Sequence, residues 1–182
     1  MLKKVFISAC AAAMLAGGMV TTAHAEATMD TQIRSGVEQK LSRYVFYSIF
    51  DDVQGTIRNG VVTLTGHVTA PYKAEEMANL VKGVNGVREV DNRIETLPVS
   101  QFDDELRVGI ARAIYRDPMF WNYAIQVNPP IHIIVNHGHV TLTGVVNSNV
   151  ERMVAESIAR SADGVFSVEN NLKLDKDVRE NN

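Results

Sequence analysis

Two stretches of the chain alternate apolar and polar residues with the period of a β-strand. Val62 and Leu64 alternate with threonines at positions 63 and 65, and Val140 and Leu142 alternate with threonines at positions 141 and 143. Because successive side chains of a strand point to opposite faces, each stretch predicts a strand with one core face and one polar face. Asn59-Gly60 precedes the first stretch and is typical of a type I′ turn, since both central residues need a positive φ. The first stretch is therefore predicted to be the second strand of a β-hairpin.

Apolar residues also recur every three or four positions on either side of these strands, and this period predicts amphipathic helices. The first helix of each half is predicted from Ile33, Val37, Leu41 and Val45, and from Leu106, Ile110 and Ile114. The second helix is predicted from Ala74, Met77 and Val81 after Pro71, and from Val150, Val154 and Ile158. Capping signals precede two of the helices, at Ser100 with Asp103 and at Ser148 with Glu151. A last strand follows in each half, at Val90 and Ile94 and at Val168, Leu172 and Leu174.

The two halves repeat one sequence pattern at a constant offset of 78 positions. Residues 59–66 read NGVVTLTG and residues 137–144 read HGHVTLTG, so His137-Gly138 is a weaker version of the same turn signal. The two copies share valine, threonine and leucine positions of the strands, together with glycines and one asparagine: Gly60, Gly66, Gly86 and Asn92 match Gly138, Gly144, Gly164 and Asn170. The sequence therefore predicts an α+β fold of two tandem αββαβ modules, each a three-stranded sheet with two helices on one face. We place the modules at residues 28–97 and 100–175, followed by a polar tail at residues 176–182 that is expected to fray.

The first 25 residues have the pattern of a secretory signal peptide. Lys3 and Lys4 precede a short apolar segment, and Ala23-His24-Ala25 fits a signal-peptidase site, so cleavage is expected after Ala25. A lipoprotein signal that uses Cys10 is the alternative, but the apolar run before Cys10 is short. The prediction is export to the periplasm without a permanent membrane anchor, because no later segment has the roughly 20 apolar residues of a spanning helix.

Charge and cysteine content exclude several classes of function for the predicted mature chain. Removing residues 1–25 takes away two lysines and no acidic residue, so the net charge changes from −3 to −5. This balance argues against a nucleic-acid partner, because nucleic-acid-binding domains are usually basic. The single cysteine, Cys10, is lost with the signal, so no disulfide, thiolate nucleophile or cysteine metal site is expected.

With the repeat defined, the chain resembles the BON domain family. The family pattern Asn-Gly-x-Val-x-Leu-x-Gly-x-Val, then a helix, then Gly-Val-x-x-Val-x-Asn-x-Leu is similar to residues 59–68 with 86–94, and to residues 137–146 with 164–172. Within the family it is most similar to the osmotically inducible periplasmic type with two such domains, and more distantly to a dual-BON outer-membrane lipoprotein. That lipoprotein supports outer-membrane integrity and binds anionic phospholipid through the first helix of its second domain. The resemblance implies a periplasmic, stress-related protein associated with lipid or with the envelope; the departure is His137, where the family has Asn.

A search for catalytic or metal-binding constellations supports no enzyme, so we expect no catalytic residue, no metal and no cofactor. His137 and His139 are two positions apart, which in a strand would place both on one face and could begin a metal site. No carboxylate at ligand spacing completes that set, and we interpret both as solvated residues of a hairpin. The paired acids Asp51-Asp52 and Asp103-Asp104 are interpreted as solvent-exposed caps and linker edges rather than as general acids or bases.

The strongest candidate site is the end of the first helix in the second module. Arg112 and Arg116 are one turn apart on the face opposite Ile110 and Ile114. Aromatic and sulfur-containing residues follow directly, and the predicted lipid-binding set is Arg112, Arg116, Met119, Phe120, Trp121 and Tyr123. Tryptophan and tyrosine favour the lipid–water interface, and arginine can reach phosphate head groups. The alternative is that Phe120 and Trp121 pack into the core or between the modules.

The first module has an aromatic run of its own over residues 44–50, which is expected to pack against the second module or to mediate self-association. Together these features predict a periplasmic protein that binds anionic phospholipid or envelope proteins peripherally and supports envelope integrity under osmotic stress. The alternative is a periplasmic chaperone-like or scaffolding protein that binds other polypeptides.

Overall fold

The computed structural model describes residues 18–180, with side chains described from residue 29 onward. Residues 1–17 of the predicted signal peptide lie outside the described residues, so export and cleavage after Ala25 stay predictions. Within residues 18–180, no helix is both long enough and apolar enough to cross a bilayer.

The first module has the predicted αββαβ order. Its elements are α1 (Gly18–Ser42), β1 (Asp52–Arg58), β2 (Val61–Val68), α2 (Pro71–Lys82) and β3 (Glu89–Thr96). β1 pairs antiparallel with β2, and β3 pairs parallel with β2, so the sheet order is β1-β2-β3. A parallel pair needs a crossover connection, and α2 provides it.

The core of the first module lies between its two helices and one face of the sheet. Its buried side chains are Ile33, Val37 and Leu41 of α1, Ala74, Met77, Ala78 and Val81 of α2, and Ile57, Val62, Leu64 and Val68 of the sheet. This confirms the predicted inner positions with one exception. The prediction for Val45 is wrong: α1 ends at Ser42, so Val45 falls beyond the helix and is 86 % exposed.

The second module repeats the same order with two additions. Its elements are α3 (Gln101–Arg116), a 3₁₀ turn (Pro118–Phe120), α4 (Trp121–Ala124), β4 (Ile131–Asn136), β5 (His139–Val146), α5 (Asn149–Arg160), β6 (Ser167–Asn170), β7 (Lys173–Leu174) and α6 (Asp175–Glu180). The predicted third strand is divided into β6 and β7, and both pair parallel with β5, so this sheet has four strands. Residues 176–180 of the predicted frayed tail, together with Asp175, form the short helix α6, which an Arg179–Asp175 ion pair spans.

The inward face of α5 differs from the predicted stripe. Ala155 and Ala159 are fully buried against the sheet, Val154 and Ile158 are half-buried, and Val150 is 58 % exposed. The prediction for Val150 is therefore wrong. At 3.6 residues per turn, Val150 lies roughly opposite Ala155 and Ala159 on the helix, so it faces solvent when the alanines face the sheet.

The residues shared by the two copies hold the same backbone features in place. Asn92 donates from its amide to the carbonyl of Ala74, and Asn170 donates in the same way to Arg152, so each asparagine ties the third strand to the second helix. Gly66 and Gly144 have φ near +110°, and a Cβ atom at either would lie within 2 Å of a backbone carbonyl oxygen, that of Asp52 or of Pro130. Both positions therefore require glycine.

A carboxylate on the first helix of each module holds the hairpin turn. Asp30 accepts hydrogen bonds from the backbone amides of Asn59 and Gly60, at 2.9 and 3.0 Å. Asp103 accepts from the corresponding amides of residues 137 and 138, both at 2.9 Å. Asp103 is fully buried, so its interpretation as a solvent-exposed cap is wrong. The signal was present in the sequence, because both aspartates lie three positions before the first buried apolar residue of their helix.

The segment between α1 and β1 joins the two modules. Tyr44 and Tyr47 pack on the core of the first module, whereas Ile49 and Phe50 pack on the core of the second. The carbonyl of Ile49 also accepts a hydrogen bond of 2.7 Å from the amide of Ile133 in β4. The prediction that the run at residues 44–50 packs against the second module is confirmed for Ile49 and Phe50 only, and the alternative of self-association stays untested.

Asp51 ends this joining segment, and its side chain is fully buried. Its carboxylate accepts hydrogen bonds from Lys73 at 2.7 Å, from the amide and hydroxyl of Thr69, and from the amide and hydroxyl of Ser48. Its carbonyl oxygen lies 2.7 Å from Nδ1 of His132 in the second module. The interpretation of Asp51 as a solvated acid is therefore wrong, because five donors of the fold take the place of water.

The pH dependence of stability is expected to report on Asp51. Burial raises the pKa of its carboxyl, but the hydrogen bonds from Lys73, Thr69 and Ser48 outweigh burial, so the net pKa lies below the usual value. Its stabilising contribution is therefore complete above the unfolded pKa of about 3.9 and is lost as the pH falls through the folded pKa. We expect Asp51→Asn to lower the free energy of unfolding by about 3 kcal/mol at pH 6, because it leaves Lys73 buried without a charged partner.

The measurement is urea denaturation of wild type and Asp51→Asn between pH 6 and pH 2, with Asp52→Asn as the control for replacing one neighbouring carboxylate. The difference between wild type and Asp51→Asn should shrink below about pH 4. A difference that stays constant down to pH 2 would contradict this role of Asp51.

Candidate functional site

The candidate site is built on the C-terminal end of α3 and the two short helical turns that follow it. The side chain of Ser100 accepts from the amide of Asp103 and begins α3, as predicted. Asp117 ends the helix and accepts from the amide of Met119, which starts the 3₁₀ turn in a new direction. The chain therefore folds back on itself directly after Arg116 instead of continuing away from the module.

Two of the predicted lipid-binding residues belong to the core. Phe120 is fully buried, and Tyr123 is 7 % exposed, with their rings stacked at a centroid distance of 6.1 Å. The hydroxyl of Tyr123 donates to Glu151 at 2.7 Å and accepts from the amide of Asn147 at 3.0 Å. Burial and the Glu151 hydrogen bond raise the pKa of Tyr123 to about 12, so the hydroxyl stays protonated. For these two residues the core-packing alternative is the correct one.

The other four predicted residues are exposed. Trp121 is 61 % exposed and Met119 is 40 % exposed, and the side chains of Arg112 and Arg116 also face solvent. Among the side chains described from residue 29 onward, no acid lies within ion-pair distance of either arginine. Both cations are therefore available to an external anion.

Two further exposed apolar residues adjoin this set. Ile125 is 84 % exposed and Val127 is 97 % exposed, and both lie in the loop that connects α4 to β4. The sequence offered a signal for them, because isolated apolar residues in a loop with prolines at 129 and 130 have no strand or helix period to explain them. We define the α3–α4 surface as Arg112, Arg116, Met119, Trp121, Ile125 and Val127.

The histidines do not form the arrangement that a metal site would need. His137 lies in the hairpin turn with φ of +51°, so it does not share a strand face with His139, and that premise is wrong. Nδ1 of His137 bonds to Asn136, and Nδ1 of His139 bonds to Ser167. The described residues contain no group of three or more His, Cys, Asp or Glu side chains placed to hold a metal ion.

Comparisons with known proteins relate the chain to one family. The family model described as the BON domain matches residues 29–98 and 110–176. Osmotically-inducible protein Y of Escherichia coli (strain K12) is 35 % identical over 115 residues, which is 62 % of this chain. The match spans 57 % of the length of that relative.

The comparison with solved structures gives weak similarity to CdsD, a structural protein of the type III secretion system of Chlamydia trachomatis. It is 15 % identical with a TM-score of 0.27, over 80 % of this chain and 95 % of that one. Its C-terminal domain is 13 % identical with a TM-score of 0.24, over 79 % of this chain and 96 % of that one. At these TM-scores the similarity supports no conclusion about fold or function.

The adjacent positions 120 and 121 should respond differently to truncation. We expect Phe120→Ala to lower the free energy of unfolding by about 3–5 kcal/mol, because it opens a cavity in the core. We expect Trp121→Ala to change it by less than about 1 kcal/mol, because most of that ring is in solvent. Denaturant titration of both variants checks this, and a loss of several kcal/mol in Trp121→Ala would mean that the ring is a core residue.

Proposed function

Because this chain belongs to the BON domain family, with two copies of the module in tandem, we propose that it is a periplasmic protein that binds anionic phospholipid surfaces. In this proposal the binding is peripheral and supports the integrity of the envelope under osmotic stress. Export rests on the predicted signal peptide at residues 1–25. The name of the E. coli relative refers to osmotic induction, which comes to this chain only as part of the proposal.

The observation that supports lipid binding most directly is the composition of the α3–α4 surface. It combines two exposed arginines with an exposed tryptophan, a methionine and two exposed aliphatic residues. Arginine binds phosphate with several donors at once, and tryptophan favours the interfacial region of a bilayer. The surface therefore offers both parts of a peripheral membrane contact, an electrostatic part and an apolar part.

The geometry of the turn after α3 also favours binding, because it holds Trp121 in an exposed position. Phe120 is anchored in the core on one side of Trp121, and Tyr123 is anchored by its hydrogen bonds to Glu151 and Asn147 on the other. The backbone at Trp121 is thus fixed before any lipid is bound. A preformed contact avoids most of the entropy cost of ordering a loop on binding.

The expected affinity is modest and depends on salt. Each basic residue near an anionic surface contributes about 1 kcal/mol, and this contribution decreases with distance over the Debye length of the solution. The chain as a whole has a net negative charge, so attraction must come from this local patch. Binding of this kind is reversible.

A second candidate function is binding to other polypeptides, and one observation favours it. Phe102 is 50 % exposed and Phe166 is 73 % exposed, and their rings lie against Gly164 and Gly138 at the hairpin end of the second module. Asp103, at the start of α3, holds this hairpin, so the two rings lie about 20 Å from Arg116 along the helix. They are therefore a separate exposed aromatic pair that a protein partner could cover.

Co-sedimentation with liposomes tests the proposal. We expect residues 26–182 to bind vesicles of phosphatidylglycerol or cardiolipin in a salt-sensitive way and not to bind phosphatidylcholine. Arg112→Ala/Arg116→Ala should weaken binding about tenfold or more, because two cations that face the lipid phosphates are lost. Trp121→Ala should weaken it as well, because an interfacial side chain is removed.

Matched controls come from the same module. Lys173→Ala/Lys176→Ala removes two exposed cations elsewhere, and Phe166→Ala removes an exposed aromatic ring at the hairpin end. Both should bind almost as wild type does. Wild-type protein that does not bind anionic vesicles would contradict the proposal, and binding to unfolded polypeptides in that case would favour the second candidate.

A further inference from the structure

The C-terminal end of the first helix of the first module contacts the loop that follows α4 in the second module. The side-chain amide of Asn128, in the loop between α4 and β4, donates a hydrogen bond of 3.1 Å to the carbonyl of Ser42, the last residue of α1. That loop also contains Ile125 and Val127 of the α3–α4 surface. The end of α1 therefore borders the α3–α4 surface instead of lying on a distant part of the molecule.

The end of α1 displays the same classes of residue as the end of α3. Lys40 and Arg43 are exposed, and no acid lies within ion-pair distance of either among the side chains described from residue 29 onward. Val45 is 86 % exposed and Phe46 is 56 % exposed. We define the α1-end surface as Lys40, Arg43, Val45 and Phe46.

The correspondence follows from the packing of the two helices. The buried positions of α1 and α3 align when Leu41 is placed on Ile114, and in that alignment Arg43 falls on Arg116 and Phe46 on Met119. The sequence repeat at offset 78 does not show this match, because the connection from first helix to hairpin differs in length between the modules. The match appears when the inward-facing positions of the two helices are aligned with each other instead.

The apolar part of the α1-end surface forms a shallow pocket. Its volume is about 410 Å³, and its lining includes Tyr44, Val45, Phe46 and Leu80, with Lys40 and Arg43 among the lining residues. The ring of Phe46 packs edge-to-face against Tyr44 and Tyr72, which holds it in place while half of its surface stays exposed. Glu76, the acid at this site, is engaged by the hydroxyl of Tyr44.

We propose that the first module supplies a second half of the membrane contact, so that the ends of α1 and α3 bind one anionic phospholipid surface together. This inference rests on the proposed function and extends it to a part of the chain that sequence reasoning assigned only to packing or self-association. Charge complementarity selects the occupant, because four exposed cations, Lys40, Arg43, Arg112 and Arg116, accompany the apolar residues of a combined surface. An apolar protein partner would not require them.

The joint between the modules makes the two halves act as one surface. The hydrogen bonds from Ile133 to Ile49 and from His132 to Asp51 fix one module on the other. Two patches on one rigid body meet the same bilayer without a further loss of translational freedom, so their contributions multiply in the binding constant. Loss of either patch should therefore weaken binding strongly while leaving a measurable remainder.

The test compares partition of residues 26–182 into vesicles that contain phosphatidylglycerol for wild type and three double variants. Lys40→Ala/Arg43→Ala removes the cations of the α1-end surface, and Arg112→Ala/Arg116→Ala removes those of the α3–α4 surface. Arg58→Ala/Lys82→Ala is the control with the same charge change: Arg58 precedes the hairpin turn that Asp30 holds, and Lys82 is at the far end of α2 from Tyr72. Thermal unfolding of each variant confirms that the fold is intact.

We expect the Lys40/Arg43 pair and the Arg112/Arg116 pair each to weaken partition about tenfold or more, and the control pair to weaken it less than about threefold. Unchanged partition in Lys40→Ala/Arg43→Ala together with a loss in Arg112→Ala/Arg116→Ala would overturn this inference and leave the proposed function intact. No partition by the wild type would overturn both.

Discussion

The arrangement of the two modules depends on the buried carboxylate of Asp51. It compensates the charge of Lys73 at the start of α2, and its neighbouring backbone oxygen bonds to His132 of the second module. A buried ion pair is costly to form and still more costly to break, because removal of one partner leaves the other unpaired in a medium of low dielectric constant. The joining segment is consequently fixed at the point where it passes from one core to the other. Ser42, at the end of α1 just before this segment, makes a further contact with the second module through Asn128.

The two modules use equivalent positions on their second helices to hold the segment before the hairpin, but the side chains at these positions differ. Glu151 occupies the position of Lys73 at the repeat offset of 78, and it accepts hydrogen bonds from Tyr123 and from the amide of Asn147. In each module a side chain in the first turn of the second helix therefore holds, by hydrogen bonds, the segment that leads to the hairpin. In the first module that segment binds the neighbouring module, and in the second it folds back to present Trp121. The position of this contact is therefore the same in both modules, whereas the segment that it holds differs.

The sequence predicted the fold well because its signals are local. The apolar period, the turn residues and the repeat determine the αββαβ order, and even the substitution of His137 for Asn left the turn conformation in place. The burial of individual polar residues could not be predicted from such local signals. Asp51 and Asp103 look like ordinary surface acids, and their partners, Lys73 and the turn amides, are 22 and 34 or more positions away in the chain.

The candidate site was predicted in part for the same reason. The cluster after α3 was found from composition, but four hydrophobic neighbours at positions 119, 120, 121 and 123 give no period that separates exposed from buried. That separation comes from the 3₁₀ turn that Asp117 starts, which directs Phe120 inward and Trp121 outward. The contribution of the α1 end could not be predicted from the sequence, because it depends on contact between two modules and not on any one segment.

The central claim is that these helix ends meet a bilayer, and the fluorescence of Trp121 tests it most directly. Trp121 is the only tryptophan in the sequence, so the emission spectrum reports on this one position. On addition of phosphatidylglycerol vesicles we predict a shift to shorter wavelength and reduced quenching by acrylamide, both reversed by salt and both absent with phosphatidylcholine. Protein that sediments with the anionic vesicles while its emission and quenching stay unchanged would contradict the account, because another face of the molecule would then be bound.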